Sequence, residues 1–312
     1  MFKLSSGIVV LLLCITISAQ KTPSVKDLER SGIQGFTQGD FDAAIANFTK
    51  IIELTSRLES RGQSLRTEFA ESPAALEEAR ARDAIRVVNP QTATAHVNRG
   101  RAHFGKGEID KAMSDFEQAI AIAPYMSDGY FYRGAIWFSE KKYDIALADF
   151  ERAIKISPSR FEAYIARGLL RLEQGNTAAA FEDLNFAVKI GSKSAIARYY
   201  RGEAYRRAGD MNRATVDFEK AMKLDPQGGY PYLGRGLVHL HHEAVNAAIR
   251  DLTTAISLNP RLTQAYANRG LAYYVEGRII EAQADFEWAC SIDPTMRAEI
   301  DEGLRILKRR KP

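Results

Sequence analysis

The chain has 312 residues, of which 46% are hydrophobic and 26% charged, with a formal net charge of +4. Its 43 basic residues are interspersed with 39 acids, so no basic face marks a nucleic-acid footprint and no nucleic-acid partner is expected. Two cysteines in a chain of this length leave folding to apolar packing rather than to a disulfide framework.

The first element is leader-like. Lys3 precedes an apolar run from Gly7 to Ile17, followed by the small pair Ser18-Ala19. A membrane-spanning helix needs ~20 apolar residues and this run is about half that. Residues 1–19 therefore read as a secretory signal peptide cleaved near Ala19. The expectation is an exported protein, periplasmic or secreted, with no stable membrane insertion after cleavage. An uncleaved anchor is disfavoured by the shortness of the run, and a lipoprotein at Cys14 by the bulky Leu13 before it. Cleavage removes Lys3 and no acid, taking +4 to +3, and leaves Cys290 as the one thiol.

From residue 25 onward a period of 34 residues governs the chain, with units starting at 25, 59, 93, 127, 161, 195, 229 and 263. The pair Arg-Gly stands at Arg99-Gly100, Arg133-Gly134, Arg167-Gly168, Arg201-Gly202, Arg235-Gly236 and Arg269-Gly270, at positions 7 and 8 of six clear units covering 93–296. The N-terminal pair, 20–92, is degenerate. Its first unit keeps Gly32, Gly39, Ala44 and Phe48; its second, 59–92, keeps Pro90 but has Arg66, Glu78 and Arg82 where Gly, Ala and Phe are expected. Residues 59–92 read as a decayed repeat still forming two helices, with a functional insert or hinge as the alternative. The end, 297–312, reads as a capping helix with a basic tail.

Within a clear unit each position has a physical task. Apolar residues in both halves follow helical spacing. Glycine at position 15 (Gly107, Gly175, Gly209, Gly277) is a left-handed helix stop. Asp or Asn at 18 (Asp110, Asp144, Asn212, Asn246) suits the start of the next helix. Proline at 32 ends that helix, with Ser192 the exception. Gly at 8 and Ala at 20 and 27 allow backbones to approach, and Phe or Leu at 24 fills the gap. In a hairpin turning near position 15, Arg at 7 and Asp at 23 stand level, which predicts one Arg–Asp bridge per unit.

This pattern resembles the tetratricopeptide repeat, carried by Gly202, Tyr205, Ala214, Phe218, Ala221 and Pro226, and again by Gly270, Tyr273, Ala282, Phe286, Ala289 and Pro294. The resemblance implies an all-α fold: a right-handed superhelical solenoid of antiparallel helix pairs, about eight units plus a C-terminal capping helix. It also implies a concave surface supplied by positions 2, 5, 9, 12 and 13 of the first helices. The partner-binding candidates on it are Val97, Phe131, Ile165, Tyr199 and Leu233 at position 5, Leu169 and Leu237 at position 9, and Phe104, Phe138, Leu172, Arg206, Leu240 and Tyr274 at position 12. An apolar and aromatic lining suits a protein or peptide partner. The carboxylate clamp known in this family would want a lysine at position 5, which is apolar in all six units. Arg206 and Arg207, beside Tyr199 and Tyr200, either grip an acidic group or are solvated.

No catalytic residue, metal site or cofactor is expected. The histidines of "HLHH" (His239, His241, His242) lack a carboxylate or cysteine at metal-ligand spacing, and His239, at position 11, reads as a packing residue. There is no phosphate loop or nucleophile elbow. The expected function is a non-enzymatic exported scaffold that binds an extended peptide or partner protein in its groove; the alternative is a self-associating homo-oligomer whose groove is covered by another copy.

Overall fold

The computed structural model describes residues 23–68 and 90–310. The leader-like residues 1–19, and residues 69–89 within the degenerate second unit, lie outside the described residues. Among the described residues there are fifteen α-helices and no strand. The chain divides into two compact units, one ending at Ile136 and the other beginning at Trp137.

The first unit holds α1 (Val25–Gln38), α2 (Phe41–Glu68), α3 (Pro90–Gly105), α4 (Ile109–Ile122) and most of α5 (Ser127–Ser139), inside which the boundary falls. The second holds α6 (Tyr143–Ile156), α7 (Phe161–Glu173), α8 (Thr177–Ile190), α9 (Ala195–Arg207), α10 (Met211–Leu224), α11 (Gly229–His241), α12 (Val245–Leu258), α13 (Thr263–Val275), α14 (Ile279–Ile292) and α15 (Met296–Arg310). Within each unit, helices pack as antiparallel pairs on their sequence neighbours, and each pair packs on the next, the arrangement of an all-α solenoid.

The turn inside each hairpin has one geometry. Gly107, Gly175, Gly209 and Gly277 take φ of 78° to 83°. The following amide donates back to the carbonyl of the residue five before it, as Asn176 does to Arg171 at 2.8 Å and Asp210 to Tyr205 at 2.9 Å. Where position 15 is not glycine the turn persists: Lys141 (φ 60°) and Glu243 (φ 56°) are forced left-handed. Helix entry keeps the negative charge expected at position 18 but takes its side-chain cap from elsewhere. Position 18 lies inside the first turn, where Asp110 and Asp144 face the positive end of the helix. Capping by a side chain comes from position 16, where Asn176 and Asp210 accept from the amides of Ala179 and Arg213. Each proline at 32, from Pro124 to Pro294, stands two residues beyond a helix end.

Side-chain size at positions 8 and 24 sets how closely the paired helices lie. A methyl group added to Gly202 would meet the Phe218 ring at 2.7 Å, and one on Gly270 the Phe286 ring at 2.5 Å. Phe116, Phe150 and Phe218 are buried completely or nearly so, as are Leu184 and Leu252 in the units that use leucine.

At the five repeats that lie whole within one compact unit or the other, the expected bridge is formed. Arg99, Arg167, Arg201, Arg235 and Arg269 each donate two hydrogen bonds of 2.7–2.9 Å from Nε and Nη2 to Asp115, Asp183, Asp217, Asp251 and Asp285 respectively. The aspartates are buried. Several have a second side-chain partner: Arg171 at 2.8 Å on Asp183, Arg198 at 3.4 Å on Asp217, and His96 Nδ1 at 2.9 Å from Asp115. Burial pushes the Asp115 carboxyl up, but bonds from His96 and Arg99 outweigh it and hold it below its ordinary value of 3.8. The aspartates in turn push Arg167, Arg201, Arg235 and Arg269 above the ordinary guanidinium value.

The same arginines join successive layers. Arg201 Nη1 donates to Asn185 (3.0 Å) and Arg269 Nη1 to Thr253 (3.1 Å), both at position 25 of the preceding repeat. In the first unit Arg99 Nη1 makes this bond to Thr49 (3.2 Å), position 25 of the repeat that begins at residue 25. Ala95 and Ala102 of α3 pack into a core with Phe48 and Ile51 of α2. The repeat starting at 93 is thus seated directly on the repeat starting at 25. Two details depart from the sequence reading: α2 runs unbroken past Ser56 to Glu68, and Pro90 opens α3 instead of closing a helix. The reasons are local. Serine, unlike proline, keeps the helix amide, and proline at the first helical position loses no bond.

Two outcomes are expected. Glu243→Gly relieves a left-handed residue and raises stability by roughly 0.5–1 kcal/mol, read from urea unfolding; no gain would show that the turn is unstrained. The Asp115 carboxyl has a depressed pKa in the folded state, so its contribution is present above pH 3.8 and is lost as pH falls through the folded value. Asp115→Asn should cost about 3 kcal/mol near neutrality and flatten the acid limb of melting temperature against pH. An acid limb as steep as wild type would remove this role.

Candidate functional site

In the second compact unit, the first helices α7, α9, α11 and α13 stand side by side, each touching the next, and α15 continues the row by packing on α13. Small residues make the row possible. Ala197 and Ala204 of α9 close over Ile165 of α7, and Ala265 of α13 joins the core around Leu233 of α11. The exposed side of the row encloses a cavity of about 310 Å³. Its apolar wall is Phe138, Leu169, Leu172, Leu233, Leu237, Tyr199 and Tyr200, and its polar residues are Glu173, Glu203, Arg206, Arg207, Gln264, Asn268 and Glu299.

Seven of the thirteen candidates meet here: Phe138, Leu169, Leu172, Tyr199, Arg206, Leu233 and Leu237. The others do not. Val97, Phe104 and Phe131 belong to the first compact unit. Leu240 and Tyr274 are half-buried against the cores of their own repeats. Position 5 proves to be largely a packing position, since Val97, Ile165 and Leu233 are 4%, 4% and 2% exposed and have little surface to offer a partner. Ile165 and Leu233 face the seam between layers, where alanines of the following first helix cover them.

Tyr199 anchors the aromatic part of the wall. Its ring lies 5.1 Å from Tyr200, 5.6 Å from Tyr230 and 6.0 Å from Phe218. Burial pushes the Tyr199 and Tyr200 phenols above their ordinary value. The two arginines are already engaged. Arg206 directs Nε and Nη2 at Glu203 (3.1 and 2.9 Å), and Arg207 Nη1 donates to Glu173 at 2.7 Å. Local glutamates thus pair with both guanidiniums, an arrangement that neither alternative of the sequence reading included.

Four wall residues fall on positions 2, 9 and 13, named above as concave: Gln264, Glu203, Glu173 and Arg207. Arg206 and Arg207 apart, the sequence reading weighs only apolar residues, which leaves out Gln264, Glu203 and Glu173. Tyr200 and Asn268 at position 6, and Glu299 on the final helix, have no such signal. His239 also gains a partner, with Nε2 3.5 Å from Asp251. Among the described residues no group of three or more His, Cys, Asp or Glu is arranged to hold a metal ion.

Residues 130–310 match the family model described as the ETO1 C-terminal domain, and residues 66–127 match a tetratricopeptide repeat model. The chain is a tetratricopeptide-repeat protein, and over more than half its length it belongs to the ETO1 C-terminal domain family. No curated protein matches it. Among solved structures, a tetratricopeptide repeat protein from Parabacteroides merdae is similar at 18% identity and a TM-score of 0.59, over 90% of this chain and 97% of that one. Yeast Tom70 is similar at 17% identity and a TM-score of 0.60, over 94% of this chain and 65% of that one. The Cut9-Hcn1 hetero-tetramer of the APC/C gives 16% and 0.59, over 93% and 57%. At these identities the likeness is one of fold. Among the described residues no helix is long and apolar enough to cross a membrane.

Proposed function

We propose that this protein is a non-enzymatic scaffold that holds an extended peptide or a segment of a partner protein in the groove along α7, α9, α11, α13 and α15. The fold itself is one suited to protein–protein interaction. The observation that carries the reading is the wall of the groove. Leu169, Leu172, Leu237 and Tyr199 keep part of their surface outside their own cores, and the polar side chains of Gln264 and Asn268 stand in the same cavity. An extended chain offers apolar side chains on alternate sides and unpaired backbone amides between them, which such a wall answers. The leader-like residues 1–19 add the proposal that the scaffold is exported; native protein beginning at Gln20 by N-terminal sequencing would support it, and native protein retaining Met1 would refute it.

A second reading, self-association, is favoured by one observation. On α14 the side chains of Ile279, Ile280, Trp288 and Ile292 are exposed, Ile280 by 85%.

The groove is tested by selecting random short peptides on the full chain and measuring the winners by fluorescence anisotropy. Phe138→Asp and Leu172→Asp should each weaken binding at least about tenfold, or ~1.4 kcal/mol, while helical content stays unchanged. Binding indifferent to both substitutions would discard the groove.

A further inference from the structure

The charges in the groove do not cancel evenly. Five ionisable side chains line it besides the tyrosines: Glu173, Glu203, Arg206, Arg207 and Glu299. Arg206 and Arg207 are each paired with a glutamate of the same wall, through Nε and Nη2 in Arg206 and through Nη1 in Arg207, so the two pairs together carry no net charge. A carboxylate seated on the Nε–Nη2 edge of Arg206 would first have to displace Glu203 from a two-point bond. That leaves Glu299, an exposed carboxylate with no hydrogen bond or ion pair among the described residues.

The neighbours of Glu299 in the wall are also acceptors. Asn268 Nδ2 donates to the Gln264 carbonyl at 2.7 Å, which fixes the amide orientation and leaves Oδ1 unused. The α13–α15 end of the groove thus offers a free carboxylate and a free amide oxygen, while the α7–α9 end is apolar and internally neutralised. A cation entering at the first end meets two oxygens, one of them charged, while an anion meets the charge of Glu299 and only neutral amide donors on Gln264 and Asn268.

We infer that the segment held in this groove is basic-apolar: apolar side chains seated on Leu169, Leu172 and Leu237, with a lysine or arginine directed at Glu299 and Asn268. This rests on the groove reading above and adds the chemistry of the partner. It also separates this groove from one built to hold a C-terminal carboxylate.

The experiment uses the same peptide selection on the full chain, run in parallel on wild type, Glu299→Gln and Glu299→Lys. Wild-type winners are expected to be enriched in Lys and Arg over Asp and Glu. Replacing the basic residue of a winner by Glu should weaken it roughly fivefold at low salt, the scale of an exposed ion pair gained or opposed, and less at high salt. Glu299→Gln should remove most of that difference and Glu299→Lys should reverse it. Circular dichroism serves as the folding control, since Glu299 lies in the exposed first turn of α15. Winners that depend on Leu172 but show no charge bias, or an acidic bias, or a bias unchanged in Glu299→Lys, would overturn this inference and leave the groove reading standing. Winners that do not depend on Leu172 would overturn both. A concentration-dependent dimer in sedimentation, dispersed by Glu299→Lys, would assign the groove to a second copy and overturn the partner assignment.

Discussion

The structure depends on one steric allowance: glycine at position 8 facing a ring or leucine at position 24. Where Gly202 stands, a methyl group would sit 2.7 Å from Phe218, well inside van der Waals contact. The two helices of a repeat therefore lie as close as backbone permits, with the large side chain filling the only remaining space. That closeness also brings Arg201 level with Asp217 and lets both ends of the guanidinium fork reach one carboxylate. With a bulkier residue at position 8 the helices would separate and the bridge would lose its geometry along with the packing.

The bridge does more than join two helices. Its third nitrogen reaches position 25 of the preceding layer, so one side chain reports both the fold of its own repeat and the identity of its neighbour. This is why Arg99 on Thr49 is informative: it identifies the layer beneath α3 as the repeat at 25. A buried carboxylate is costly unless fully paired, and here desolvation is met by three side-chain nitrogens at each of Asp115, Asp183 and Asp217. The partial burial of the arginines, which keeps the guanidinium edge near water, limits the cost on the other side.

What could be read from the sequence was whatever backbone geometry dictates by residue type. Gly at 8, Gly at 15, Ala at 20 and 27, and Pro at 32 each answer a local constraint that few residues satisfy, so the helix pairs and the Arg–Asp register followed from spacing alone. The groove was legible only in part. Leu169, Leu172 and Tyr199 were found because the family's concave positions pointed to them, but Ile165 and Leu233 are covered by alanines of the next layer, a fact that depends on how layers nest. Glu299 was unreadable for a different reason: it sits on a helix that looks like a cap in sequence and serves as one more first helix in space. The engagement of Arg206 by Glu203 is a choice of side-chain conformer, which spacing allows without requiring.

Core and groove thus use the same residue types to opposite ends. In the core, arginine and aspartate are paired so that burial is tolerable, and the pairing repeats because the spacing repeats. In the groove, pairing Arg206 with Glu203 and Arg207 with Glu173 removes the positive charge that those arginines would otherwise present, and Glu299 stays unpaired because no cation of the row reaches it. A repeat fold gives every layer the same core for free, so what distinguishes one such protein from another must lie where the period is broken. Here the break is the polar set at 264, 268 and 299 against an apolar wall at 169, 172 and 237, and that asymmetry is what gives the groove a direction.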